Sequence, residues 1–354
     1  MEITTIGIDL AKHVFQIHGV DSAGKTVLRK QLRRDQLAAF VVQLPPCLIG
    51  MEACGGAHFW ARKFRLMGHQ VRLMAPQFVK PYVKSNKNDR ADAEAICEAV
   101  GRANMRFVAI KTPEQQAVLA LHRSRQGFVQ ARTAQSNQIR GLLAEFGQVF
   151  PQGIAALRQR VPDILEDASA ELPGVFKALI QRLLDQLNTL DTQVSELDDQ
   201  ILAWHRTNPD SQKLQQIPGI GPITASALVA SVGDVSQFNC ARALSAWIGL
   251  VPRQHSTGGK ERLLGISKRG DVYLRTLLIH GARSLICQAQ AHPERYAWLN
   301  ALIGRSNANI AAVALANKNA RIAWALMAHD RAFTANYRPA QNRPEHTSEV
   351  QDNR

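Results

Sequence analysis

Asp9 closes the apolar run "TTIGIDL", a segment that reads as a core strand yet ends in a carboxylate. Burying a carboxylate without a partner, a proton or a metal is costly, so one of the three is expected beside it. Glu52 closes a second such run, "CLIGME", and Asp89 and Asp92 stand three apart in "NDRADAEA", on one face of an expected helix. Four acids drawn together repel one another unless a cation neutralises them. Mg2+ takes oxygen ligands and bridges readily to phosphate oxygens, with Mn2+ as its substitute. Two such ions roughly 4 Å apart can clamp the attacking and leaving oxygens of an in-line phosphoryl transfer. Taken singly, each acid also fits a plainer role: Asp9 and Glu52 as strand ends, Asp89 and Asp92 as acids favoured at a helix N-terminus. Their joint placement is what favours the metal.

Basic and hydroxyl-bearing residues supply the rest of a phosphate chemistry. The loop "PQFVKPYVKSNKNDRAD" interleaves Lys80, Lys84, Lys87 and Arg90 with Phe78 and Tyr82. Such cations neutralise phosphates, and the aromatic faces can stack on unpaired bases. "IPGIGPITA" has the form of a helix-hairpin-helix turn, in which Gly219 and Gly221 let backbone amides approach a phosphate ahead of a helix N-terminus. Farther on, "WIGLVPRQHSTGGKERLLGISKRGD" carries Ser256 and Thr257 in a glycine-rich loop with Arg253, His255, Lys260 and Arg262, and with Lys268, Arg269 and Arg275 beyond. A hydroxyl attacking a phosphodiester needs a proton acceptor and positive charge around the phosphorane. The loop offers the charge, and His255 offers a base, although adjacent side chains often point apart. From the residues alone, a phosphate-binding turn without covalent chemistry is the stronger reading.

The elements that must position these groups fall into three regions and a tail. Residues 1–112 alternate strand-like and helix-like segments. "TTIGIDL", "HVFQIHGV" and "KTVLRKQL" read as three consecutive strands with "DSAG" as a turn. A short helix around "DQLAAFVVQL" ends at Pro45 and Pro46, "CLIGM" is a fourth strand, "GAHFWARKFRLMG" a helix, "QVRLM" a fifth strand and "DRADAEAICEAV" a helix. Three strands followed by alternating helix and strand is the order of the ribonuclease H-like α/β fold, in which the first and fourth strands lie side by side. Asp9 and Glu52 would then meet at one end. Residues 113–206 are helical: Phe176, Ile180, Leu183, Leu187, Leu190, Val194, Leu197, Ile201 and Trp204 alternate steps of four and three, a heptad seam that predicts a coiled coil within or between chains. In the preceding helix His122, Arg123, Arg125, Arg132 and Arg140 form either a solvated basic face or one that tracks a phosphate backbone. Residues 207–332 are mostly helical, and residues 333–354 are polar, without apolar periodicity, and are expected to be a disordered tail.

The 354 residues suffice for two or three domains. The formal charge of +14, from 43 Lys and Arg against 29 Asp and Glu, points to a polyanionic partner, nucleic acid above all. Five scattered cysteines with no C-x-x-C pair argue against a zinc site or a disulfide framework. No signal peptide and no apolar run of membrane length are read in the chain, so a soluble cytoplasmic protein with no membrane partner is expected.

The stretches "GIDLAKHVFQIHGVD", "MEACGGAHFWAR", "APQFVKPYVKSNKNDRADAEAICEA", "IPGIGPITA" and "GLVPRQHSTGGKERLLGISKRGD" together resemble the transposases, or recombinases, of the IS one-ten family of bacterial insertion sequences. The resemblance is strongest to the IS eleven-eleven subgroup, itself similar to the Piv invertase. It implies an N-terminal RuvC-like domain whose Asp, Glu, Asp, Asp set falls on Asp9, Glu52, Asp89 and Asp92. It also implies a coiled coil and a C-terminal helical transposase domain whose serine attacks DNA to leave a covalent 5′-phosphoserine. Implied partners are donor and target DNA, an element-encoded structured guide RNA that pairs with both, and further copies of the chain in a dimer or tetramer. Members outside the subgroup place Ser directly before the Gly of this loop, the slot of Thr257; the subgroup keeps it one earlier, at Ser256. Ser256 is therefore the expected nucleophile and Thr257 the second candidate. The competing reading is a metal-dependent nuclease of the Holliday-junction-resolvase kind, with water as nucleophile.

Overall fold

A computed structural model describes residues 2–84 and 88–334. The strands β1 (Thr5–Asp9), β2 (Val14–Val20) and β3 (Thr26–Arg33) form an antiparallel meander, with Asp21 to Gly24 as the first turn. The chain then crosses under the sheet through α1 (Leu37–Val41), so that β4 (Leu48–Glu52) pairs parallel to β1 on its free side. A second crossover, α2 (Ala57–Leu66), leads to β5 (Gln70–Met74), parallel to β4. Next come the short α3 (Pro76–Val79), α4 (Asp89–Val100) and a two-residue β6 (Phe107–Val108) that closes the order β3-β2-β1-β4-β5-β6. Alternation along β1 sends Ile6 and Ile8 to the side of α1 and α2, where Phe15, Leu37, Trp60 and Phe64 complete a core. Gly7 takes the other side, beneath α4.

Thr112 caps α5 (Pro113–Ala144) through a capping box with Gln115, and Pro113 occupies the first helical position. The helix packs antiparallel to α7 (Gly174–Thr207), with α6 (Ile154–Glu166) at the far end. The heptad seam is thus covered within the chain: Phe176, Ile180, Leu184 and Leu187 share a core with Ile139, Leu143, Leu157 and Val161. Leu184 is buried beside a half-buried Leu183, and His205 is buried in place of Trp204. A straight helix drifts about 20° per heptad from a 3.5 repeat, so the buried stripe slides to the neighbouring residue.

The basic residues of α5 turn inward more than outward. Arg125 pairs with Asp198, Arg132 with Asp191 at 3.1 Å, and Arg140 donates to Asn137 and to the Gly153 carbonyl. These three pin α5 to α7 and to the segment before α6 and so do not form a free basic face, while Arg123 is exposed.

The C-terminal part is a bundle of α8 (Pro209–Gln215), α9 (Pro222–Val232), α10 (Ala241–Ile248), α11 (Val272–Ala291), α12 (Ala297–Arg305) and α13 (Ala308–Ala328) around one apolar core. Between α10 and α11 stands a hairpin of β7 (Pro252–Gln254) and β8 (Leu263–Ile266). Among the described residues no helix is long and apolar enough to cross a membrane. Of the expected tail, 335–354 lies outside the described residues.

His122 links α5 to the bundle, with Nδ1 3.0 Å from the Tyr273 hydroxyl and Nε2 3.1 Å from Ser226 Oγ. It is 1% exposed, and burial pushes it down to about 4, with Arg125 adding to the shift. The unfolded chain takes up this proton near pH 6.5 and the folded one only near 4. Stability is therefore full above pH 6.5 and falls as pH drops toward 4, by about 3 kcal/mol from this residue. Denaturant melts from pH 7 to pH 4 should show that loss in excess of a His122→Gln variant; parallel curves would exclude it.

Candidate metal centre

Two glycines set the centre. Gly7 and Gly50 are partners in the parallel β1–β4 register, and both face α4. A Cβ on Gly7 would lie 2.3 Å from the Ala93 carbonyl oxygen and 2.4 Å from the Cys97 amide nitrogen, and one on Gly50 would lie 2.7 Å from Val100 Cβ. The helix backbone therefore rests on a floor without side chains. It runs antiparallel to β1, since Cys97 Sγ is 3.7 Å from the carbonyl oxygen of Thr5 at the start of that strand. Its N-terminus consequently overhangs the C-terminal ends of β1 and β4. Two residues after each glycine, on the same face, stand Asp9 and Glu52.

At that edge one carboxylate oxygen each from Asp9, Asp89 and Asp92 lies within 4.8 Å of the others. Asn88 caps α4 by accepting the Ala91 amide at 2.8 Å, which fixes the first turn that carries both aspartates. Glu52 is not in this close trio; it stands at the end of β4, one step beyond the Ile8–Met51 pair and so beside Asp9. Burial raises the Cys54 thiol, and the Glu52 and Asp9 carboxylates raise it further, so both negative charges share that neighbourhood. A trio of hard oxygen donors, half-exposed at a rigid sheet edge, fits a divalent cation.

Gly7→Ala tests the floor. The clash is with backbone, which cannot rotate away, so α4 must lift. The expected cost is about 1–3 kcal/mol or more, read as a lower denaturant midpoint. Gly101→Ala, with nothing within 4 Å of its Cβ, is the control and should lose none of it.

The remaining expected contacts are dispersed. Lys80 and Arg90 are exposed, and Lys87 lies outside the described residues. Lys84 is bound to Glu98 at 3.2 Å and Glu94 at 3.3 Å, which hold it above its ordinary value. Phe78 and Tyr82 are half-buried beneath Arg106 and Arg102. Gly219 has φ +86 and packs on α11, where a Cβ on Gly281 would meet its carbonyl oxygen at 1.9 Å; Gly221 faces open space. The need for glycine at 219 thus comes from helix packing as well as from the turn.

Ser256 and Thr257 are exposed near the tip of the β7–β8 hairpin. Gly258 (φ +56) and Gly259 (φ +76) make the two-residue turn, closed by Lys260 N–H donating to the Thr257 carbonyl at 3.1 Å. Ser256 Oγ accepts the Arg262 amide at 3.4 Å. Arg253, Lys260, Lys268 and Arg269 are all exposed around this arm. The hairpin itself was not expected from the sequence, which read as a loop. Its base is locked to α10: a Cβ on Gly270 would strike the Trp247 carbonyl oxygen at 1.7 Å, and buried Arg275 donates to the Ile248 carbonyl at 2.8 Å.

A mixed sheet with acids at one edge, joined to a helical C-terminal part, is consistent with a DEDD nuclease-like domain, and the comparisons place the protein among DNA transposases. Residues 6–148 match the DEDD transposase model of IS110, and residues 211–297 match that of the transposase IS116/IS110/IS902 family. The chain is 53% identical over 335 residues to a probable family 20 transposase of Pseudomonas aeruginosa, covering 94% of this chain and 99% of the relative. It is 48% identical to the transposase for insertion sequence element IS1111A of Coxiella burnetii, covering 94% and 92%, and 45% identical to that for IS1328 of Yersinia enterocolitica, covering 94% and 99%. The chain belongs to the IS110 family of transposases. It is accordingly an enzyme that cuts and rejoins DNA, with the divalent-metal dependence that a DEDD domain suggests.

Proposed function

We propose that this transposase is an RNA-guided, site-specific DNA recombinase with a serine nucleophile. The observation that supports its metal-dependent DNA cleavage is the approach of Asp9, Asp89 and Asp92 to within 4.8 Å at the end of paired strands, with Glu52 beside Asp9; the serine nucleophile and the guide RNA are what the family resemblance implies. We read the sheet order as ribonuclease H-like and the chain as a RuvC-like domain (1–112), a helical linker (113–206), a transposase domain (207–332) and a tail. The four acids would hold Mg2+, or Mn2+ in its place. When bound, the metal supplies charge neutralisation at the reacting phosphate.

The chain's own groups do the rest. Ser256 Oγ bonds to phosphorus as the bond to the 3′-oxygen breaks. The serine proton ends on that oxygen, giving a 3′-hydroxyl and a 5′-phosphoserine. A 3′-hydroxyl of the other duplex then attacks the phosphoserine and releases the serine. Arg253, Lys260, Lys268 and Arg269 neutralise phosphates around the arm, Lys80, Lys84, Lys87 and Arg90, which come before Asp92 in sequence, neutralise others, and Gly219 and Gly221 form a backbone-binding turn. Donor and target DNA, an element-encoded guide RNA and further copies of the chain, as a dimer or tetramer, are the partners. The setting is the cytoplasm.

The test is a strand-exchange reaction with labelled element-end DNA and whatever RNA co-purifies, resolved under denaturing conditions. A protein–DNA adduct that needs both RNA and divalent metal is expected. An adduct formed equally without RNA would remove the guide, and cut ends without attached protein would favour the water-dependent nuclease.

A further inference from the structure

A second feature sits at the same sheet edge, on the face opposite α4. The end of β3 and the first turns of α2 enclose an open cleft of about 610 Å3, lined by Arg33, Arg34, Asp35, Phe59, Trp60 and Lys63. Three cations face one acid there, and Asp35 is engaged by Arg33 at 3.3 Å. Two of the cations already lie against aromatic rings: the Arg34 guanidinium is 5.6 Å from the Trp60 ring centre, and Lys63 Nζ is 5.6 Å from Trp60 and 6.0 Å from Phe59. Phe59 is 48% exposed, a large apolar ring presented to solvent beside them. Trp60 Nε1 is buried with no hydrogen-bond partner among the described residues, and the neighbouring Trp60 Cδ1 is turned toward Gly56. Beside it a Cβ on Gly56 would stand 3.9 Å from the Arg34 guanidinium and 4.0 Å from Trp60 Cδ1, while one on Gly55 would meet nothing within 4 Å.

An exposed ring flanked by cations is the chemistry of a stacking platform for unpaired bases. A duplex keeps its base faces stacked and cannot offer one to Phe59. The cleft lies at the same end of the sheet as the acids: Asp9 pairs with Gln16 and Arg33 with Val14, two residues away on β2, and His13, which also lines the cleft, follows Asp9 by four residues. Four residues of chain reach at most about 14 Å.

We propose that this cleft holds unpaired nucleotides of the DNA strand flanking the scissile phosphate. One base stacks on Phe59, and the adjoining phosphates meet Arg33, Arg34 and Lys63. The inference rests on the DNA-cutting reading above for the position of the scissile phosphate, but its test needs no cleavage.

Full-length protein carrying Asp9→Asn is titrated with single-stranded DNA, the same sequence as duplex, and the same sequence as single-stranded RNA. Adding Phe59→Ala should weaken single-stranded DNA binding about 5- to 100-fold and leave duplex binding within about twofold. Lys63→Ala should weaken it too and flatten its salt dependence. Leu66→Ala, on the same helix but 90% exposed and outside the cleft, should change nothing. Thermal melts of each variant establish that the fold is kept, and iododeoxyuridine crosslinks should map to the peptide with Phe59 and Trp60. Unchanged single-stranded DNA affinity in folded Phe59→Ala and Lys63→Ala proteins overturns the proposal, as does a loss confined to RNA or crosslinks elsewhere. A wild-type protein that never cuts DNA would refute the catalytic reading instead, which the titration does not measure.

Discussion

Asp9→Asn should slow DNA strand cleavage at least about a hundredfold, the scale of removing one charged or donor group from a preorganised phosphoryl-transfer site. Asparagine keeps the size of the side chain and one carbonyl oxygen but removes a negative charge from a trio of oxygens within 4.8 Å of one another. Because Asp9 ends a strand bound on both sides, by β2 and by β4, the substitution has little backbone to disturb. Thermal melts of the metal-free variant establish that the fold is kept. Single-turnover cleavage of labelled element-end DNA is the readout. A rate within threefold of wild type would show that Asp9 only terminates a strand.

Ser256→Ala should abolish the covalent adduct altogether while leaving nucleic-acid affinity within a small factor. The side chain is exposed, and its 3.4 Å bond from the Arg262 amide is long enough to count for little. The hairpin is held by other bonds, His255 N–H to the Arg262 carbonyl at 2.9 Å and the Thr257–Lys260 turn. A folded, DNA-binding, adduct-free protein is therefore the expected product, seen as loss of the slow band on a denaturing gel. An adduct that persists in Ser256→Ala and vanishes in Thr257→Ala would move the nucleophile by one residue. Neighbouring residues on an extended arm point to opposite sides, so the two outcomes imply opposite faces of the hairpin toward the DNA.

Much of the sheet was legible because its signals are local. Alternating apolar runs bounded by "DSAG", Pro45–Pro46 and Gly68 mark β1 to β5 closely, and "DRADAEAICEAV" coincides with α4. The two residues of β6 are too few to carry a period, and β7–β8 has no buried face to leave one: Leu263 is 63% exposed and Leu264 37%. The heptad seam was visible in α7, but which helix covers it was not. That choice is written in pairs such as Arg125 with Asp198, which lie far apart in sequence. The same distance hid the true use of the basic residues on α5.

At the centre itself the acids were legible as types, and the structural reason for their meeting was not. Gly7 and Gly50, two residues before Asp9 and Glu52, repeat a G-x-acid pattern in two strands that pair. That pattern was the available signal, since only a residue without a Cβ lets α4 descend far enough to bring Asp89 and Asp92 to the strand ends. Glu52 was expected within the cluster; it stands next to Asp9 rather than among the three closest oxygens.

The most direct measurement is anomalous X-ray scattering from crystals of the protein soaked in Mn2+. The predicted result is a peak bounded by the carboxylates of Asp9, Asp89 and Asp92, absent in crystals of Asp89→Asn/Asp92→Asn protein. A fully soaked wild-type crystal with no peak there, or with the same peak after both substitutions, would contradict the assignment of this sheet edge as a metal centre.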